Sequence, residues 1–63
     1  MSISDMAKCV AKTLVDSENV DNIDKILTTY DTTEEPDVVK SKIVATLMIL
    51  PPQEVESWYD SMC

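Results

Sequence analysis

Residues 43–50 read Ile-Val-Ala-Thr-Leu-Met-Ile-Leu, an eight-residue run with Thr46 as its one polar member. Wound into a helix, those side chains point to every side of the axis. A chain of 63 residues can hardly enclose such a helix with its own atoms, because small domains bury only about 60% of their unfolded surface. Part of this helix is therefore expected to meet another polypeptide, as contiguous exposed apolar patches usually do.

The run must be helical for that argument to hold, and the composition favours it. The chain contains no Gly, and no Asn-Gly or Asp-Gly pair. Tight β-hairpin turns need residues at positive φ, which Gly supplies most readily. An all-α fold is expected instead, a small bundle of about four short helices with the third at its centre. Residues 1–63 show no repeat, linker or low-complexity stretch and read as a single domain.

The periodicity places the helices. Ile3, Met6, Ala7, Val10 and Leu14 form one stripe over about Ser2–Val15, with Ser2 or Ser4 as the cap. Asp5 and Lys8 lie on the opposite face at ion-pair spacing. Asp16-Ser17-Glu18-Asn19 should break that helix and start a second. Val20, Ile23, Leu27 and Tyr30 then recur, with Ile26 beside them and Asp21 placed to pair with Lys25. The second helix is expected to end near Tyr30 or Asp31.

Asp31-Thr32-Thr33-Glu34-Glu35-Pro36-Asp37 reads as a connection that becomes a helix start. Thr33 is the expected N-cap, with acids in the first turn where the helix dipole favours them. The third helix should run from about Glu35 to Leu50, with Val39, Ile43, Leu47 and Leu50 as its main stripe. Val44 and Met48 make a second line, and Ala45 with Ile49 a third. Pro51 and Pro52 stop it. They also open a fourth helix, with Pro51 as N-cap, Pro52 at the first helical position and Leu50 facing Val55 in a hydrophobic staple. Val55, Trp58, Tyr59 and Met62 follow on one face. Trp58 is expected in the core and Tyr59 at its rim, where the hydroxyl can reach water.

Twelve acids against five lysines give a net charge of −7. Nucleic-acid binders need clustered Lys and Arg to neutralise phosphate, so neither nucleic acid nor an anionic membrane is an expected partner. A protein partner with a basic patch is favoured by charge. A surface that mimics DNA could use Asp21, Asp24, Asp31, Glu34, Glu35 and Asp37, but lysines interrupt the faces of the first three helices.

No catalytic constellation emerges, so the chain is not expected to be an enzyme. There is no His to move protons near neutral pH or to ligate a metal. The acid-rich segment 16–24 has the density of a calcium loop but carries Val20 at the fifth position and lacks the Gly such loops need. Asp16-Ser17 resembles the arm-bearing Asp-Ser of acyl carrier proteins, though Glu18 stands where that family has an apolar residue. No metal and no cofactor is expected.

The first residues show no basic-then-apolar leader pattern, and the longest apolar run falls far short of the roughly 20 residues a membrane span requires. Cys9 and Cys63 have no metal-ligand spacing. A disulfide between them requires the first helix and residue 63 to be neighbours, and a cytoplasmic chain with reduced thiols is the default expectation.

The resulting expectation is a small acidic module that binds and modulates, or inhibits, a larger protein. The viral or phage accessory type enters by analogy of size and charge alone. The expected contact residues are Val44, Ala45, Met48, Ile49 and Tyr59, with the acids Glu34, Glu35 and Asp37. The alternatives are an obligate homodimer through the same helix and an acidic DNA-mimic inhibitor.

Overall fold

The computed structural model describes residues 2–28, 30–31 and 33–63. It contains α1 (Ile3–Asp16), α2 (Val20–Ile26), α3 (Pro36–Ile49) and α4 (Pro52–Met62), with no strand among the described residues. The all-helical bundle is therefore as the periodicity implies. Its centre is shared, since α1 and α3 form the most extensive pair and α1 also packs against α2 and α4.

Side chains at i, i+3 and i+4 build the core. α1 contributes Ala7, Val10, Ala11 and Leu14, and α3 contributes Val39, Ile43 and Leu47, all essentially inaccessible. Ala7 and Ala11 are small, which lets a neighbouring helix approach α1 closely. Ile23, Ile26 and Leu27 close one side, and Val55 of α4 the other. Trp58, Tyr59 and Met62 are partly buried and pack against this cluster. Val20, expected on the buried stripe of α2, is instead 43% exposed at the first position of that helix.

The helix ends follow local chemistry. The Ser2 side chain accepts a hydrogen bond from the Asp5 N–H at 3.2 Å, so Ser2 rather than Ser4 is the cap of α1. At the other end the Asn19 N–H donates to the Leu14 carbonyl and the Glu18 N–H to the Val15 carbonyl. This is the Schellman pairing, which requires a left-handed residue at the position after the C-cap. Lacking Gly, the chain places Glu18 there at φ 54°. Asp16-Ser17 thus closes a helix rather than opening one, and the Ser17 hydroxyl is engaged with the Thr13 and Leu14 carbonyls.

Two boundaries differ from expectation. α2 ends at Ile26, because Leu27 turns to an extended backbone (φ −106°, ψ 105°) while its side chain stays buried. The apolar rhythm runs past the helix because the outgoing chain still points inward. Thr33 does not cap α3; its N–H and hydroxyl both donate to Asp31 Oδ1, at 2.9 and 2.7 Å. Glu35 holds the N-cap position without a side-chain bond, and Pro36, which has no N–H to satisfy, occupies the first turn. The Asp5–Lys8 and Asp21–Lys25 pairs do not form. The ion pairs among the described residues are Lys40–Asp16 at 3.5 Å and Lys42–Glu34 at 2.6 Å.

The reduced-thiol expectation is corrected. Cys9, midway along α1, is joined in a disulfide to Cys63, which caps α4. Docking of α4 along α1 makes the two residues neighbours, a juxtaposition that positions 54 apart in sequence cannot announce.

Candidate protein-interaction surface

The buried stripe of α3 accounts for one side of that helix and leaves the other to solvent. On the helical wheel Val38, Ala45 and Ile49 fall close to one direction, and Met48 falls beside them. Ile49 is 83% exposed, Met48 48% and Val38 43%. Ala45 is exposed as well, and Ser41 and Lys42 interrupt the stripe toward its N-terminal half. The exposed apolar surface is therefore concentrated over the last turns, just before the exposed prolines 51 and 52. An isoleucine left so open forgoes most of the ~2 kcal/mol that burying it would contribute.

The eight residues expected at a contact do not form one surface. Ala45, Met48 and Ile49 belong together. Val44 is half-buried on the flank and packs against the core, as does Tyr59 from α4. Asp37 lies eleven residues before Met48 along α3, about 16 Å at 1.5 Å per residue. Glu35 and Asp37 are exposed at that opposite end. Glu34 sits in the connection before α3 with its side chain only 21% exposed, held by Lys42. Val38 belongs to the stripe and is absent from the sequence-based set. The missing signal was its wheel position, seven residues before Ala45.

A cleft of about 330 Å³ opens on another side of the molecule, between the end of α1, the start of α2 and the chain leading into α3. Val15, Val20, Ile23 and Val39 form apolar walls, Tyr30 contributes its ring, and Glu18 and Glu34 supply carboxylates. Glu34 Oε1 accepts the Lys42 ammonium. Its Oε2 is buried and has no hydrogen-bond partner among the described residues. Periodicity gave no hint of this cleft, because it depends on where α2 stops and on where Tyr30, Glu34 and Pro36 come to lie against α1 and α2. A second depression, about 470 Å³, lies where Ile26, Leu50 and Trp58 approach between α2, α3 and α4.

One carboxyl is perturbed beside this region. The Thr33 backbone N–H and then its hydroxyl stabilise the Asp31 carboxylate and hold it below the ordinary carboxylate range, with Lys42 adding a smaller pull in the same direction. Asp31 is fully exposed, and the bonds organise the turn rather than a reactive centre. Among the described residues no group of His, Cys, Asp and Glu is arranged to hold a metal ion, and no helix is long and apolar enough to cross a membrane. Comparison with protein-family models, with characterised proteins and with solved structures finds no match in any of the three.

Proposed function

We propose that this chain is a small acidic interaction module that docks through the exposed face of α3 onto a larger protein and modulates its activity. The observation that carries the reading is the stripe of Ala45, Met48 and Ile49, with Ile49 83% exposed although the core it adjoins is closed. The net charge of −7 gives the partner its chemistry, an apolar groove flanked by basic groups. Two copies meeting through this face would bring together two chains each of −7, so charge favours a basic partner over a second copy. Inhibition, and the viral or phage accessory type, remain part of the proposal by analogy of size and charge. A cytoplasmic placement carries the expectation of reduced thiols, and the Cys9–Cys63 disulfide weighs against it. Thiol trapping in intact cells tests it: a disulfide formed inside the cell points to an oxidising compartment.

The test is site-specific photo-crosslinking in the cells of origin, from position 49 and from Lys12 on the exposed side of α1. A discrete adduct is expected from position 49 and none from position 12. Excess untagged protein should compete the adduct, and its Ile49→Lys variant should not. An adduct of twice the chain mass would assign the stripe to a homodimer instead. Equal labelling from both positions would remove the α3 face as a specific contact.

A further inference from the structure

The cleft beside α2 is separate from the α3 stripe and does not depend on it. Its walls are apolar, yet two of its residues, Glu18 and Glu34, are acids. A buried carboxylate oxygen without a donor is costly, because the water it gave up is not replaced. Glu34 Oε2 is in that position among the described residues, while Oε1 is already taken by Lys42. Glu34 lines the cleft, and the terminal torsion of a Glu side chain is soft, so small adjustments let its two oxygens be shared between Lys42 and a donor entering the cleft. The ligand best matched to this environment has an apolar stem, a cationic end and several N–H donors.

We infer that the cleft lined by Val15, Val20, Ile23, Tyr30, Glu18 and Glu34 receives an arginine side chain of a partner polypeptide. The three methylenes lie along the valine and isoleucine walls. The guanidinium fork donates to the Glu34 carboxylate, which Lys42 does not saturate, and the Tyr30 ring offers a face for the planar cation. Arginine fits better than lysine, because the Lys42 ammonium already occupies the point-charge position at Oε1 and the remaining oxygen needs a directed donor. The overall charge of −7 draws such a segment in.

The experiment is a titration of the ¹⁵N-labelled, disulfide-bonded full chain with the blocked tripeptide Ac-Ala-Arg-Ala-NH₂, read by amide chemical shifts. The same peptide with citrulline, which keeps the shape and removes the charge, is the control. Saturable shifts confined to Val15, Glu18, Val20, Ile23 and Tyr30 are expected, with at least a tenfold weaker response to the citrulline peptide. Glu34→Gln should weaken arginine binding by a similar factor, and its spectrum shows directly whether it remains folded. Glu18→Gln serves in its place if it does not. Equal binding of the citrulline peptide, or of free guanidinium ion, would overturn the inference. So would shifts spread over Asp21, Asp24, Glu54 and Glu56, or none up to about 10 mM, a range that reaches the weakest site worth the name.

Discussion

Removing the Cys9–Cys63 disulfide should change the stability of this protein more than any surface substitution. The bond joins positions 54 apart and so closes nearly the whole chain into one loop. In the chain-entropy description such a loop removes roughly 14 cal/mol/K from the unfolded ensemble, or about 4 kcal/mol at 25 °C. A chain this size has a total stability of only about 3–9 kcal/mol, at 0.05–0.15 kcal/mol per residue. The cross-link is thus comparable to everything else that holds the fold. Its effect should be felt first in α4, where Val55 is the one fully buried side chain and Trp58, Tyr59 and Met62 are only partly covered.

The assay is urea unfolding of the oxidised chain, the reduced chain and the Cys9→Ser/Cys63→Ser variant, followed in parallel by circular dichroism and by the fluorescence of Trp58. The reduced and double-serine forms should agree with each other and lie about 4 kcal/mol below the oxidised form, near the edge of folding. A difference under about 1 kcal/mol would refute the loop-closure reasoning. Two titratable thiols in the folded, unreduced protein would refute its premise. Coincident transitions by the two probes are expected for a single cooperative unit. A Trp58 transition that runs ahead of the helical signal would mean that reduction releases α4 alone.

Other substitutions separate the roles of individual positions. Glu18→Gly should stabilise the fold by about 1 kcal/mol, since Gly carries no steric penalty in the left-handed region; a loss measured by denaturant midpoint would show that the Schellman turn is not strained. Leu47→Ala should cost about 2–5 kcal/mol as a cavity in the core, whereas Ile49→Lys, only two positions on, should stay within about 0.5 kcal/mol. Comparable losses at both positions in the same unfolding assay would contradict the assignment of the two faces of α3. Asp31 should titrate below the ordinary carboxylate range by NMR. Because its folded pKa is depressed, its contribution is complete above about pH 4 and lost as pH falls through the lowered value. Thr33→Val should raise that pKa toward the ordinary carboxylate range, and no movement would show that the two Thr33 bonds are not its cause.

Much of this architecture is legible in the residue pattern, and the failures have local causes. The proline pair places α4 correctly, because Pro51 and Pro52 act through covalent geometry that no tertiary contact alters. α1 is set by a strong stripe and a serine cap. The end of α2 is misjudged because apolar spacing reports which side chains point inward, and Leu27 points inward from an extended backbone. The cap of α3 is misjudged because Asp31 competes for the Thr33 hydroxyl within a turn of its own. The apolar run of α3 yields its exposed stripe directly, since residues opposite Val39, Ile43 and Leu47 must face away from the core. The disulfide and the Glu18–Glu34 cleft are products of packing between distant segments and leave no periodic trace.

The most direct test of the α3 stripe as a contact for another protein is light scattering on the purified, disulfide-bonded chain across a dilution series. A folded monomer throughout is expected, with Ile49 and Met48 open to a partner. A dimer that persists to nanomolar concentration and dissociates in Ile49→Lys would contradict that reading, because the stripe would already be covered by a second copy of the chain.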